Sequence, residues 1–263
     1  MDIAREKGIP VIEDCAQAHG AKYKGRYVGT IGDVGAFSTM SGKHHTTGPQ
    51  GGVVFTKDEN LYLHSRRYSD RGKPLGKPFG PTDWRTPASN LACSLNLNLN
   101  DLAGCIGRVQ LRKLSDIILR RRRFALGLAE YCKSIECVSL DTGLPDTEGV
   151  FWFLFFKLDT DKLTVDKDTF VGALAAEGLP VKADYFHLFT KAPWYKNRAV
   201  FGKSGYPWTC PLYRGDPDQE YPVPNALAAH RSLFIMPMHE NCTDREIQDT
   251  VDALKKVEAA YRK

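Results

Sequence analysis

The chain has 263 residues, enough to bury a full core in one large domain or two smaller ones. Hydrophobic residues make up 42% and charged residues 25%, values that exclude a disordered, fibrous or repeat protein. A formal net charge of +5 suits an enzyme that handles anionic small molecules and falls short of the basic surface expected of a nucleic-acid-binding protein.

The sequence does not predict a membrane protein or a disulfide-bonded protein. No run approaches the roughly 18 consecutive apolar residues of a membrane span, and the N-terminus lacks the apolar core of a signal peptide. The 7 cysteines form no C-x-x-C pair, which argues against a disulfide framework and against a zinc ribbon. We therefore expect a reduced, cytoplasmic protein without a metal site and without membrane contact.

The first part of the chain alternates short apolar runs with helical patterns. Residues 2–7 predict the end of a helix that Gly8 terminates, and residues 9–12 predict a buried strand that runs into Glu13 and Asp14. Further strands are predicted at residues 34–38 and 53–56, and helices at residues 58–67, 100–114 and 116–133. This alternation is typical of a buried, mostly parallel sheet in an α/β protein.

After residue 134 the pattern changes to that of a smaller α+β unit. Strands are predicted at residues 150–158, 179–185 and 234–237, and helices at residues 166–177 and from 243 onward. Residues 190–222 are rich in proline, glycine and aromatic residues and are expected to be irregular. We place a domain boundary near residue 120, which divides the chain into residues 1–120 and residues 121–263.

Three polar side chains stand at or just after the ends of predicted strands. Asp14 ends the first strand, Ser38 ends the second, and Lys43 follows Ser38 by five residues. The ends of parallel strands are where α/β proteins place their sites. An amine, a carboxylate and a hydroxyl are groups that hold the aldehyde, the pyridine nitrogen and the phosphate of pyridoxal 5'-phosphate (PLP). Each of the three could equally be a solvated loop residue, and their spacing alone leaves that choice open.

The segments around these residues form a recognisable set of motifs. PVIEDCAQAHGA begins at Pro10, GTIGD at Gly29, FS at Phe37 and QGG at Gln50, and Lys43 lies between the last two. Together with DRGK, GRVQL and MPMHE further along the chain, these motifs resemble the DegT/DnrJ/EryC1/StrS family of sugar aminotransferases. The resemblance spans nearly the whole chain.

This resemblance implies an aspartate-aminotransferase-like fold, which is fold type I of the PLP enzymes. Residues 1–120 would be the C-terminal part of the PLP-binding large domain, and residues 121–263 a smaller C-terminal α+β domain. The resemblance also implies PLP as the cofactor, glutamate or glutamine as the amino donor, and a keto sugar, usually nucleotide-linked, as the acceptor. The sites of this family are shared between subunits, so a homodimer is expected.

The resemblance further assigns roles to single residues. Lys43 would be both the Schiff-base lysine and the base that moves the proton between substrate and cofactor, and Asp14 would pair with the pyridine nitrogen. Gln17 would contact the ring or its phenolic oxygen, and Ser38 the cofactor phosphate. Asn96 would reach the cofactor phosphate of the partner subunit, and His187 would face the sugar.

Departures from the family pattern leave alternatives open. The segment from Asn96 to Asn98 lacks the family's arginine, and Gln50 stands where glutamate is common. The front of the large domain, which supplies a phosphate-binding turn and a stacking aromatic residue, has no counterpart, so we expect an N-terminally truncated large domain. A non-catalytic fragment or pseudoenzyme with a regulatory or structural role is therefore one alternative. A PLP-dependent sugar dehydratase is another, although such relatives have histidine where this chain has Lys43.

Other features have competing interpretations. His44 and His45 could suggest a metal site, but adjacent side chains point apart, which favours a polar loop. The four arginines at residues 120–123 favour a solvated helix face over a nucleic-acid site. Aromatic residues of the irregular region favour packing over a shelf for a sugar or nucleotide; they are Trp194, Tyr195, Trp208 and Tyr213.

Overall fold

A computed structural model of the protein describes residues 1–74, 91–184 and 188–263. These residues form two compact units. The first consists of Met1–Gly127, Thr142–Trp152 and Met238–Asp244, and the second of Leu128–Asp141, Phe153–Pro237 and Arg245–Lys263. Within the described part of the chain, no helix is both long and apolar enough to cross a membrane. The predicted division into domains at residue 120 stays a prediction.

The first unit contains a sheet with the strand order β1–β4–β5. Strand β1 (Ile12–Asp14) runs parallel to β4 (Val34–Ser38), whereas β5 (Gly52–Thr56) runs antiparallel to β4. The expectation of a mostly parallel sheet is thus correct only for the first pair. Residues 39–51 connect β4 to β5 at one end of the sheet. A β5 parallel to β4 would require the connection to cross to the opposite end of the sheet.

The strand predicted at residues 9–12 is not buried as expected. Ile12 is 72% exposed, and Val54 on β5 of the same sheet is 58% exposed. A second sheet of the first unit has the order β3–β2–β7 and consists of β2 (Lys22–Tyr23), β3 (Arg26–Tyr27) and β7 (Thr147–Glu148). Its antiparallel pairing ties residues near the start of the unit to the segment before Trp152.

The helices of the first unit follow the predicted signals. Helix α1 (Asp2–Lys7) ends at Gly8, whose φ of 62° is the left-handed conformation that favours glycine at a helix end. Helix α2 (Glu59–Ser69) begins after Asp58, whose carboxylate accepts a hydrogen bond from the Leu61 amide. The end of α1 and the start of α2 are therefore fixed by local capping residues.

Helix α3 (Asp101–Cys132) is one continuous helix of 32 residues rather than the two predicted stretches. Asn100 caps its start, since its side-chain oxygen accepts a hydrogen bond from the Ala103 amide at 2.8 Å. The two stretches were separated at residue 115, a serine, which neither lacks an amide hydrogen like proline nor has the freedom of glycine. The helix therefore continues through that position.

The second unit is built on an antiparallel sheet in the order β6–β8–β9. Its strands are β6 (Val138–Leu140), β8 (Phe153–Leu158) and β9 (Leu233–Pro237), and its helices are α4 (Lys167–Ala176), α5 (Pro193–Lys196), α6 (Pro224–Ser232) and α7 (Asp244–Tyr261). The rings of Phe156 and Phe234 stack at 4.9 Å in its core. Each such buried side chain contributes about 1.5–3 kcal/mol through the hydrophobic effect.

One predicted strand of the second unit is reduced to a single bridge. Among the described residues of the segment 179–185, Lys182 pairs with Ile235 through two backbone hydrogen bonds of 2.9 and 3.0 Å. Pro180 cannot donate to a ladder, which limits strand pairing here. The other strands and helices predicted in this unit are present, with ends shifted by a few residues.

Candidate active site

The parallel pair β1 and β4 brings two predicted site residues to one edge of the sheet. Asp14 is the last residue of β1 and pairs in register with Ala36, and Ser38 is the last residue of β4. Asp14 is exposed, and its Oδ1 accepts a hydrogen bond from the Ala16 amide at 3.0 Å. Gln17 lies in the turn that follows β1 and is also exposed.

Lys43 lies on a loop, residues 39–51, that is closed by buried threonines. The Thr39 amide donates to the Gly51 carbonyl and the Thr47 amide to the Thr39 carbonyl, each at 2.9 Å. The hydroxyls of Thr39 and Thr47 lie 2.7 Å apart, and these residues are 0% and 4% exposed. A Cβ at Gly51 would overlap both hydroxyls, so only glycine fits there. The loop therefore gives Lys43 a fixed backbone position.

The two histidines after Lys43 fasten this loop to other segments. His44 Nε2 lies 3.1 Å from the Val150 carbonyl oxygen, and His45 Nε2 lies 2.9 Å from the Gly107 carbonyl oxygen. Because a carbonyl can only accept, each Nε2 carries the proton. No cluster of His, Cys, Asp and Glu that could hold a metal ion occurs among the described residues. These histidines anchor the loop.

The amino group of Lys43 is partly removed from water. Its Nζ lies 4.7 Å from the centroid of the Trp152 ring, a residue that the sequence did not identify because it is distant along the chain. Burial lowers the pKa of Lys43, and the Asp14 carboxylate opposes this change without cancelling it. A larger fraction of Lys43 is therefore neutral than of a fully exposed lysine, and the neutral amine is the nucleophilic form.

A buried histidine, His19, lies beside this loop. Its ring centroid is 5.5 Å from that of Phe37, 6.0 Å from that of His44 and 6.1 Å from that of His45. Burial, followed by the charges of His45 and Lys43, lowers the pKa of His19 to about 4, and burial likewise lowers that of His44 to about 4. Both rings are thus neutral near pH 7, so they add no competing positive charge beside Lys43.

The role of Glu13 was missed by the sequence analysis, which treated it only as the end of a strand. Its carboxylate accepts hydrogen bonds from the amides of Gly29, Ile31 and Gly32 at 2.7, 2.7 and 2.6 Å. Burial raises the pKa of Glu13, but these backbone hydrogen bonds lower the pKa by more than burial raises it, so the net change is downward. The sequence signal for this role is the glycine-containing segment 29–32, because a turn there leaves backbone amides that need an acceptor such as the Glu13 carboxylate. Glu13 thus fixes the loop that precedes β4.

Asn96 belongs to a cluster around Asp70. Asn96 forms a β-bridge with Asp70, and the Asn98 amide group donates to Asp70 Oδ1 at 2.8 Å. Arg71 and Lys73 also pair with Asp70, at 3.0 and 3.3 Å. Burial raises the pKa of Asp70, whereas these partners lower it by more. The other distant candidate, His187, lies outside the described residues.

The four consecutive arginines of α3 all bind within the protein. Arg120 pairs with Asp116 at 2.6 Å, Arg122 donates to the Gly149 carbonyl at 2.6 Å, and Arg123 pairs with Asp244 at 3.4 Å. The prediction of a solvated helix face is correct for Arg120 and Arg123, which are exposed. It is wrong for Arg121, which is 6% exposed and pairs with Glu240. A helix places four consecutive residues around its axis, so one of them faces the interior.

The aromatic residues of the irregular region pack against one another. Tyr195 meets Trp194 and Trp208 edge to face, at 5.8 Å in both cases, and Trp194 is 45% exposed. The guanidinium of Arg198 lies over the rings of Tyr195 and Trp208, at 4.9 and 4.7 Å. This arrangement agrees with the predicted packing at a rim.

With this geometry established, comparison with known proteins identifies the family. Residues 1–209 match the DegT/DnrJ/EryC1/StrS aminotransferase family. The chain belongs to this family. Its motifs around Asp14 and Lys43 are therefore DegT/DnrJ/EryC1/StrS motifs, as the sequence indicated.

Two known aminotransferases are similar to most of this chain. L-glutamine:scyllo-inosose aminotransferase of Streptomyces griseus is 30% identical over 179 residues, which cover 67% of this chain and 42% of that protein. The dTDP-4-dehydro-2,3,6-trideoxy-D-glucose 4-aminotransferase of Saccharopolyspora spinosa is 26% identical over 270 residues, which cover 97% of this chain and 60% of that protein. This chain thus spans less than two thirds of either relative.

A solved aminotransferase from Psychrobacter cryohalolentis has the same fold. It is 26% identical, with a TM-score of 0.78, and the match covers 99% of this chain and 64% of that one. The expected α/β fold of the aspartate-aminotransferase type, fold type I, is therefore confirmed.

The side chains of the DegT/DnrJ/EryC1/StrS motifs fit PLP, the cofactor that the family implies. Lys43 offers a primary amine of lowered pKa to an aldehyde. Asp14 offers an exposed carboxylate to a protonated ring nitrogen, and Ser38 ends the adjacent strand with a hydroxyl suited to a phosphate. These groups are chemically complementary to the three ends of one pyridoxal phosphate molecule.

Proposed function

We propose that the protein transfers an amino group from glutamate or glutamine to a keto sugar, with PLP bound to Lys43. The observation that carries the proposal is the position of Lys43, whose partly desolvated amine is influenced by the charge of Asp14 at the end of a neighbouring strand. The names of the two relatives support the substrate class, since one uses L-glutamine and the other a dTDP-linked dehydro sugar. By analogy we propose that the keto sugar is nucleotide-linked.

The proposed mechanism assigns one task to each residue near the sheet edge. When bound, PLP supplies an electron-withdrawing ring that accepts the electron pair released as a substrate carbon loses its proton. Lys43 Nζ takes this proton from the α-carbon of the amino donor, and in the second half of the reaction Lys43 Nζ delivers a proton to the sugar carbon. Asp14 would keep a proton on the pyridine nitrogen, and Ser38 would donate a hydrogen bond to the phosphate.

The remaining family assignments complete the proposed site. Gln17 would lie against the ring or near its phenolic oxygen, Asn96 would reach the phosphate in the partner subunit, and His187 would face the sugar. Since Asn96 is proposed to act across an interface, we also propose a homodimer. The exposed apolar side chains of β5, such as Val54 at 58% exposure, are compatible with a subunit contact. Residues 1–120 and 121–263 would be the large-domain and small-domain parts, in a cytoplasmic enzyme.

The test is a half-reaction with PLP and L-glutamate. The protein should gain a visible absorption band from bound PLP and release 2-oxoglutarate, both in a 1:1 ratio to protein. Lys43→Ala should abolish both signals, whereas the matched control Lys191→Ala, an exposed lysine of the second unit, should leave them unchanged. Asp14→Asn should retain the band but slow 2-oxoglutarate release by about 100-fold or more. A Lys43→Ala protein that releases 2-oxoglutarate at the original rate would refute the proposal.

A further inference from the structure

Trp152 packs against the turn that carries Lys43. Its ring centroid lies 4.7 Å from Lys43 Nζ and 5.5 Å from the ring centroid of His44, which meets it at 61°. A Cβ built on Gly42 would lie 3.3 Å from the indole Cη2, so this glycine allows the ring to approach the backbone. The indole thus covers three successive residues, with the amine of Lys43 over its face and the imidazole of His44 tilted against it.

The backbone at Trp152 is itself held by the buried guanidinium of Arg121, which pairs with the partly exposed Glu240. Arg121 Nη1 donates to the carbonyls of Phe151 and Trp152 at 3.1 and 3.4 Å. Its Nε and Nη2 donate to Glu240 Oε2 at 3.3 and 3.2 Å, and the Arg121 side chain is only 7% exposed. A buried guanidinium whose donors are occupied in this way fixes both carbonyls.

Phe151 adds a second sign that this segment is held in place. Its φ of 51° lies in the left-handed region, which bulky residues rarely adopt and which costs about 1–3 kcal/mol where it occurs. Such a conformation persists only where the surroundings enforce it, and it often occurs beside functional residues. Here the enforcing groups are Arg121, and His44 through its hydrogen bond to the Val150 carbonyl.

We propose that Trp152 is a positioning residue for Lys43, and that Arg121 and Glu240 act through it by fixing the backbone on which the indole stands. The inference rests on the proposed function, in which Lys43 is alternately neutral and protonated. The face of an indole attracts a cation, so it keeps the protonated amine in place where burial alone would expel it toward water.

The other charged and titratable groups around Lys43 act differently. The Asp14 carboxylate favours the protonated amine, whereas His19, with a pKa lowered to about 4, is neutral and contributes no full charge. His45 packs against His19, with ring centroids 6.1 Å apart. Removing the aromatic face of Trp152 while keeping an apolar side chain should therefore leave Asp14 as the main stabiliser of the ammonium form.

The test measures Lys43 directly, without PLP. The pH dependence of its acetylation by trace acetic anhydride, followed by mass spectrometry of the peptide that contains it, gives the titration midpoint of this one amine. Trp152→Leu should lower the midpoint by about half a unit to one unit, and Trp152→Phe should lower it by less, because phenylalanine keeps a weaker π face. The control Trp194→Leu, at a 45% exposed tryptophan of the second unit, should leave the midpoint unchanged.

A folded Trp152→Leu protein whose midpoint is unchanged or higher would overturn the inference, because the indole would then be packing only. If Trp152→Leu does not fold, a midpoint in Trp152→Phe equal to that of the original protein would overturn it. Glu240→Gln provides an independent arm, because loosening Arg121 should shift the midpoint in the same direction as Trp152→Phe. No PLP is present in these measurements, so they are independent of whether the glutamate half-reaction occurs.

Discussion

Glu13→Gln removes the charge that organises the loop before β4, and its effect can be worked out from the structure. Glu13 Oε1 accepts from the amides of Ile31 and Gly32, and Oε2 accepts from the amide of Gly29. A carboxamide has one oxygen, so at best it keeps the Oε1 bonds and turns its NH₂ group toward the Gly29 N–H. Two donors then face each other. One unsatisfied, partly buried donor and the weakening of the remaining bonds cost about 2 kcal/mol.

The effect should depend on pH in a definite direction. The pKa of Glu13 is lowered from its reference value of 4.5, so its stabilising contribution is complete above pH 4.5. It is lost as the pH falls through the lowered folded-state pKa. The difference in opening free energy between the original protein and Glu13→Gln should therefore be largest at pH 7 and should shrink in acid well below pH 4.5.

Hydrogen exchange of the three amides bonded to Glu13 is the appropriate assay, because it reports local opening. A change of about 2 kcal/mol corresponds to about 30-fold faster exchange of Gly29, Ile31 and Gly32 in the variant at pH 7. The control is Glu6→Gln, since the Glu6 side chain is 67% exposed and pairs with Lys7 on the surface. Equal exchange in the original protein and Glu13→Gln at pH 7, or a ratio that persists in acid, would refute this reasoning.

Three further predictions concern packing and reactivity. Gly51→Ala should destabilise the first unit by about 1–3 kcal/mol in urea denaturation, because its methyl group overlaps buried hydroxyls, whereas Gly104→Ala, with open space around its Cβ, should be neutral or stabilising. Lys167→Met should destabilise the second unit by about 1–3 kcal/mol in the same assay, because the carbonyl oxygens of Ala183 and His230 lose the Lys167 Nζ donor that lies 2.8 Å from each of them. A thiol reagent should modify the exposed Cys93 and Cys105 well before the three buried cysteines. Burial raises the pKa of the buried thiols, to about 11 for Cys15, about 11 for Cys132 and about 12 for Cys137. Gly51→Ala with unchanged stability, Lys167→Met with unchanged stability, or uniform thiol reactivity would contradict the corresponding prediction.

The sequence predicted best those features that depend on nearby residues. Gly8 ends α1 through its own backbone, as predicted, and Asp58 caps α2 through its own side chain at the predicted start of that helix. The division of α3 into two stretches was wrong because a break was placed where no residue favours one. The antiparallel direction of β5 was missed because strand direction depends on the path of the connecting loop, which short apolar runs do not encode.

Around the candidate site, motifs predicted the residues with distinctive local signatures but not their supports. Asp14 and Lys43 stand in recognisable segments. Trp152 and Arg121 lie far from Lys43 in sequence and come near it only through folding, so no local pattern could connect them with the lysine. Glu13 was visible next to Asp14, but its partners are backbone amides, which leave no side-chain signature beyond the nearby glycines.

The central claim is that Lys43 is the residue that bonds to PLP, and reductive trapping tests it most directly. The protein is incubated with PLP, reduced with borohydride and digested, and the pyridoxyl mass is located by mass spectrometry. The account predicts one label per chain, on the peptide that contains Lys43. A label on a different lysine, or one distributed over the exposed lysines while Lys43 stays unmodified, would contradict it.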